Sequence, residues 1–195
     1  MRTFIHGLTR GVSLFSLSRR GLLTAAGSMA ALLLAGCSAS TKNVPCPHVA
    51  IVPDLQAVAK FKAGAGRADS DLAYGARLLD AAVSCSQANK GKAVDVTTKL
   101  GVQATRTDTT TRAGQVAYFV AVVNRTNAIV AKRDFVVDLK FSGDQGRVEV
   151  TEEHHELIPL PKGLSGADYG IVFGFQLSPE ELKYNRAHLK PPGSG

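Results

Sequence analysis

A regular alternation between positions 94 and 105 constrains the fold more than any other stretch of the sequence. One set of alternate positions holds Val94, Val96, Thr98, Leu100, Val102 and Ala104, while charged, polar or small residues occupy the positions between them. Successive side chains of a β-strand point to opposite faces of its sheet. The pattern therefore predicts a strand with one face on a core and the other face in water.

Similar patterns predict further strands at 49–52, 72–85, 115–123, 134–141, 147–160 and 169–177, which makes seven in all. Within 72–85, a period of two places Leu79, Ala81, Val83 and Cys85 on the inward face. The segment 55–61 follows Pro53 and Asp54 and is predicted to be a turn or a short helix. Seven short strands separated by turns predict an antiparallel β-sandwich of immunoglobulin-like type, with a β-barrel of similar strand count as the alternative.

A helix is predicted at the end of the domain. Ser178 is suited to the N-cap, Pro179 follows at the first helical position, and Glu181 completes a capping box. Leu182 and Leu189 lie seven residues apart, so they can form an apolar edge that packs on the sheet.

The first 36 residues have the composition of an export signal. They contain four arginines and no acidic residue, and an apolar run over 22–36 ends in the lipobox Leu34-Ala35-Gly36-Cys37. We predict cleavage before Cys37 and lipidation of its thiol; a retained membrane anchor is the alternative. Ser18–Leu23 resembles a twin-arginine motif, and general secretion is the equally weighted alternative.

The predicted organisation is a signal peptide (1–36), a lipidated tether (37–44), a β-sandwich domain (45–189) and a disordered tail (190–195). Ser38 favours sorting to the outer membrane over the inner one, with the domain facing the periplasm. Lys and Arg number 23 against 16 Asp and Glu, but removing the four signal-peptide arginines leaves 19 against 16. No basic stripe interleaved with aromatic residues remains, so nucleic acid is not expected as a partner.

Cysteine usage agrees with an exported protein. Cys37 is assigned to the lipid, which leaves Cys46 and Cys85 as an even pair in an oxidising compartment. We predict a disulfide between them, because two isolated cysteines outside a CxxC motif make a poor zinc site.

One cluster, Glu152-Glu153-His154-His155-Glu156, is rich in residues that can bind metal. In a strand only Glu152, His154 and Glu156 share a face, and a metal site would need a further ligand from another strand. A solvent-exposed strand face is the main alternative interpretation. There is no Gly-x-Ser-x-Gly motif and no P-loop, so neither an enzyme nor a cofactor is expected.

Several short motifs resemble a group of uncharacterised alphaproteobacterial envelope lipoproteins. They are Cys46-Pro47, Tyr118-Phe119-Val120-Ala121-Val122, Gly174-Phe175-Gln176-Leu177, Glu180-Glu181-Leu182 and Tyr184-Asn185-Arg186. The likeness covers most of 44–186, and it implies an envelope location without implying catalytic residues.

The sequence therefore predicts a non-catalytic lipoprotein, held in the membrane by its lipid, that binds a protein or a cell-wall partner. The candidate binding surface is the terminal helix, with Glu180, Lys183, Tyr184 and Arg186. Tyr and Arg are enriched in binding hot spots, but the same two residues could instead cover the sheet edge. A periplasmic module that binds a small ligand or a metal is the alternative function.

Overall fold

A computed structural model describes residues 44–188. The predicted signal peptide, the lipidation site Cys37 and the predicted tail lie outside the described residues. The elements are β1 (His48–Ile51), β2 (Ala57–Phe61), β3 (Leu72–Ala88), β4 (Ala93–Arg106), β5 (Ala113–Val123), β6 (Ile129–Lys140), β7 (Arg147–Pro159), β8 (Gly170–Phe175) and α1 (Pro179–His188). No helix among these residues is long and apolar enough to cross a membrane.

The strands form two four-stranded sheets that share one core, so the predicted β-sandwich with a short terminal helix is confirmed. The first sheet has the order β1-β8-β5-β6, and the second has the order β2-β3-β4-β7. All neighbouring strands are antiparallel except β1 and β8, which run parallel. β6 and β7 therefore lie at one side of the sandwich, and β1 and β2 lie at the other.

The extra strand is β2, in the segment that was predicted to be a turn or a short helix. That prediction was wrong beyond the 3-10 turn Pro53–Leu55. Ala57–Phe61 pairs with the first part of β3, with Ala57 opposite Arg77. Five residues carry only a weak local preference, and pairing with the following strand, β3, decides their conformation.

The strand predicted from the alternation at 94–105 is confirmed as β4, which lies between β3 and β7 in the second sheet. Its six inward side chains, from Val94 to Ala104, are all almost completely buried. On the facing sheet, the large buried side chains are Tyr118, Phe173, Phe175, Leu139 and Ile171. Valines and leucines from both sheets fill the core, and Tyr118, Phe173 and Phe175 of the first sheet are its largest fully buried side chains.

The predicted inward face of β3 is only partly correct. The pairing of β3 with β4 shifts register between Leu78 and Ala81, as in a β-bulge. Ala81 and Cys85 pack against the core, but Leu78 precedes them there instead of Leu79. Leu79 lies on the outer face, where a Cβ placed on Gly101 would be only 3.1 Å from that of Leu79.

The capping box of α1 is confirmed. The Ser178 backbone N–H donates to Glu181 Oε2 at 2.9 Å, and the Glu181 N–H donates to Ser178 Oγ at 3.2 Å. The buried residue of the helix is Asn185, and Leu182 is half-buried, so the predicted leucine edge stays a prediction. Leu189 lies outside the described residues. Asn185 Nδ2 donates to the carbonyl oxygens of Asp54 (3.2 Å) and Ala57 (2.6 Å), which holds the helix against β2.

Candidate functional site

The predicted disulfide is present. Cys46 and Cys85 are bonded with their Cα atoms 5.8 Å apart, and they join the segment before β1 to the second half of β3. The same segment is held by Gly166, where an added Cβ would lie 2.1 Å from the carbonyl oxygen of Pro45. The start of the domain is thus fixed, and neither thiol is free to act as a nucleophile.

Glu152, His154 and Glu156 share one face of β7, as predicted, but that face points between the sheets. His154 is only 4% exposed. Its ring lies 4.6 Å from that of Phe135 and 6.0 Å from that of Phe173, both on the first sheet. The outward residues of this segment are Glu153 and His155, whose exposed side chains are hydrogen-bonded with Oε1 and Nε2 3.1 Å apart. The alternative prediction, a solvent-exposed strand face, is therefore wrong for the face of β7 that carries His154.

Tyr118 on β5 completes a buried polar network with this face. Its hydroxyl lies 3.0 Å from His154 Nε2 and 3.3 Å from Glu152 Oε2. A carboxylate can only accept, so the hydroxyl donates to Glu152 and accepts the N–H of His154 Nε2. Burial, reinforced by the charge of Glu152, raises the pKa of Tyr118. Burial also lowers the pKa of His154, although Glu152 and Glu156 oppose that shift.

Glu156 is engaged by Arg133 on β6. The Arg133 guanidinium forms an ion pair with the Glu156 carboxylate and donates to the His155 carbonyl oxygen at 2.6 Å. Within residues 44–188, no three His, Cys, Asp or Glu side chains are grouped to hold a metal ion. The predicted metal set is not assembled, because Arg133 occupies Glu156 and the Tyr118 hydroxyl occupies His154 Nε2. The network instead links β5 and β6 of the first sheet to β7 of the second sheet.

The predicted partner surface on α1 is divided by the structure. Tyr184 packs its ring against Phe61, with 5.2 Å between centroids, and donates to Asp69 at 3.1 Å. The Arg186 guanidinium binds the Asp54 carboxylate at 2.9 Å. Glu180 and Lys183 are exposed. Two of the four residues therefore contact their own domain, as expected of a helix that covers the edge of β2.

A hollow of about 310 Å³ lies on the outer face of the second sheet beside this helix. Small residues form much of its floor, among them Ala57, Ala59 and Gly75, and its polar groups include Arg77 and Thr105. It is wide and open, whereas small-ligand sites are usually enclosed clefts with convergent polar groups. The hollow therefore gives little support to a function in binding a small ligand.

The opposite side of the sandwich holds a surface that the sequence interpretation missed. In the part of the chain that the structure describes, β6 pairs only with β5, so its other edge is unpaired. Ile129, Val130 and Val136 on this strand are 61%, 53% and 60% exposed. Val136 stands among the outward charged residues of the alternation in 134–141, and that apolar exception was the available signal. We name residues 129–137 the β6 edge.

Comparison of the chain with protein-family models, with curated proteins and with solved structures gives no match in any of the three.

Proposed function

We propose that this chain is a lipid-anchored, non-catalytic lipoprotein of the cell envelope whose sandwich domain docks onto a protein partner at the periplasmic face of the membrane. The lipobox at Cys37 and the basic segment before it support the anchor. The Cys46–Cys85 disulfide fits a domain that folds in an oxidising compartment.

This proposal rests on a difference between the two sides of the sandwich: one strand edge is covered and the other is not. On one side, α1 packs over β2 through Asn185, Tyr184 and Arg186. On the other side, the twelve-residue strand β6 keeps its edge unpaired within residues 44–188. Natural proteins shield exposed strand edges because those edges pair readily with other chains. A long edge that carries exposed valines and isoleucine is therefore suited to binding.

The chemistry of docking at this edge follows from strand addition. An extended partner segment pairs its backbone N–H and C=O groups with those of β6, which supplies affinity that is independent of sequence. Side chains of the partner then contact Val130 and Val136, together with the charges of Lys132 and Asp134, which supply specificity. Burial of the exposed apolar side chains adds to the binding free energy.

The polar groups of the domain support a binding function over a catalytic one. The most deeply buried titratable groups, Tyr118 and His154, bond to each other between the sheets. Neither lies in an open cleft where a substrate could reach it, and both cysteines of the domain are bonded. Their arrangement suits a structural network.

Site-specific photo-crosslinking in growing cells tests this proposal. A photoreactive residue replaces Val136 on the β6 edge, and a matched control places it at Lys183, which is exposed on α1. We expect protein adducts from position 136 but not from position 183, and we expect them to disappear in Cys37→Ser. Adducts from position 183 alone would contradict docking at β6. Absence of adducts, with tight binding of a small ligand by the purified protein, would favour the ligand module.

A further inference from the structure

We propose that the partner at the β6 edge is a second copy of this chain, with the two β6 strands antiparallel and a two-fold axis at Arg133. This inference rests on the proposed docking role of the β6 edge. It follows from the order of side chains along the strand, which is complementary to itself when reversed about Arg133. A two-fold interface requires this property, because the same surface meets itself.

The outer face of the strand shows the complementarity. Phe135, Val137 and Leu139 point towards the core, so Lys132, Asp134 and Val136 face outward. The pairing of β6 with β5 is irregular at Val130, because Ala131 pairs with Val122 whereas Ile129 pairs with Val123. Reversal about Arg133 places Lys132 opposite Asp134 of the second copy, and it brings Val136 to the exposed apolar end of that copy's strand, Ile129 and Val130. The two valines are 53% and 60% exposed. Lys132 and Asp134 form an ion pair within each copy, with Nζ and Oδ1 2.9 Å apart, so pairing brings two such ion pairs together with their charges alternating. Apolar and opposite-charge pairs across strands are both stabilising.

Neighbouring registers lack this match. Side chains of paired residues must share a face, so the register changes in steps that move the axis by one residue. With the axis at Lys132, the two Lys132 side chains stand opposite each other. With the axis at Asp134, the two Asp134 carboxylates do so. Each of these registers sets like charges opposite each other on the outer face, whereas the register about Arg133 alternates the charges of the two Lys132–Asp134 ion pairs and is selected over both neighbours.

The inner face of the strand is compatible with the same register. Ala131 lies opposite Phe135 on this face. Ile129 does not belong to it, because Ile129 pairs with Val123 beyond the irregularity at Val130 and so lies on the outer face. The two Arg133 residues meet at the axis, but each guanidinium is already bound to Glu156 and to the His155 carbonyl oxygen of its own copy. Each positive charge is thus compensated before pairing.

The anchor is compatible with this pairing as well. The chain enters the domain next to β1, which lies at the opposite edge of the first sheet from β6. Pairing through β6 leaves that edge unobstructed. Two copies attached to one membrane also meet at a higher effective concentration than two copies free in solution.

Cysteine cross-linking between differently tagged copies of the full chain tests the register. One copy carries Val130→Cys, and the other carries Val136→Cys. With Cys37 acylated and Cys46 bonded to Cys85, no other thiol competes. We expect mild oxidation, or a short bis-maleimide, to join the two tags in membranes. Val130→Cys in both copies is the matched control, because the two positions then lie six residues out of register and should not join.

Charge exchange provides a second test that does not depend on new thiols. In the cross-linking background, Lys132→Asp places like charges opposite each other and should lower the yield at least tenfold. Adding Asp134→Lys restores opposite charges and should restore the yield. Melting temperatures of the purified variants check that each domain remains folded.

Two results would overturn the inference. The first is equal cross-linking in the control pair and the matched pair, which would indicate non-specific contact. The second is a folded wild-type protein that gives no self-adduct while photoreactive position 136 captures a different protein. That second result would leave the proposed docking function standing and would remove only the second copy as its partner.

Discussion

The Tyr118 hydroxyl has one proton and two hydrogen-bonding neighbours, the buried His154 and the partly buried Glu152, and this fixes how β7 faces β5. A slip of β7 by one residue would turn Glu153 and His155 inward and leave the hydroxyl without its partners. Buried polar groups are costly when they lose their hydrogen bonds, so the network penalises that alternative strongly. At this scale, specificity of the fold comes from a few polar atoms within an apolar core.

Replacing Tyr118 with Phe should destabilise the domain by about 1–3 kcal/mol, because His154 and Glu152 then lose a buried partner while the ring is kept. Urea unfolding monitored by circular dichroism measures the change. Tyr169→Phe is the matched control, since the Tyr169 hydroxyl donates only one exposed bond, to the Pro159 carbonyl oxygen at 3.3 Å. Its cost should stay within about 0.5 kcal/mol. Equal losses in both variants would contradict the role of the network.

The pH dependence of stability should report on His154. Burial lowers the pKa of His154 below its ordinary value of 6.5, so the unfolded chain binds a proton more readily than the folded domain does. The stability that neutral His154 contributes is therefore present above about pH 6.5 and is lost as the pH falls through the lowered pKa.

We expect the melting temperature of the wild-type protein to fall more steeply than that of His154→Gln between about pH 7 and pH 5. His155→Gln, which changes an exposed ring on the outer face, should keep the wild-type profile. Parallel profiles for wild type and His154→Gln would show that His154 does not titrate as described.

The sequence could predict which residues of this site share a face, but it could not predict that this face is buried between the two sheets. A period of two was enough to place Glu152, His154 and Glu156 on one face. Which face is buried depends on Tyr118, which is 36 residues from His154 in the chain and meets it only across the sandwich. Arg133 likewise reaches Glu156 from another sheet. Local patterns contain no information about such pairings.

Among the elements, the strands with the most regular alternation were the ones that could be predicted. β4 is buried on one face along its whole length, so its pattern follows directly from burial. β3 carries an irregularity between Leu78 and Ala81, and a pattern extrapolated across it assigns Leu79 to the wrong face. β2 is short and depends on β3 for its conformation. The errors thus lie where pairing with another strand, rather than periodicity, decides the structure.

The helix α1 should behave as a cover for β2. Replacing Tyr184 and Arg186 together with Ala removes the contact with Phe61 and the ion pair with Asp54, and we expect a loss of about 1–3 kcal/mol. Thermal unfolding measures it. Lys183→Ala, on the exposed face of the same helix, should change stability little. An unchanged melting temperature in the double variant, with loss of a crosslinked partner, would instead assign docking to the helix.

For the whole molecule, the disulfide links the entry of the chain to the second sheet. The bond closes a loop of 39 residues in sequence separation, and removing such a bond typically costs about 2–5 kcal/mol. We expect Cys46→Ala combined with Cys85→Ala to unfold at correspondingly lower urea concentration than wild type. Reduced wild-type protein should match the double variant. Equal stability of oxidised and reduced wild type would contradict a structural role for the bond.

The central claim is that this sandwich works at a membrane, held there by lipid on Cys37. Labelling of growing cells with radioactive palmitate, followed by separation of membrane and soluble fractions, tests that claim most directly. The account predicts a labelled wild-type protein in the membrane fraction, and an unlabelled Cys37→Ser variant. A mature wild-type protein that carries no label and is found wholly in the soluble periplasmic fraction would contradict it.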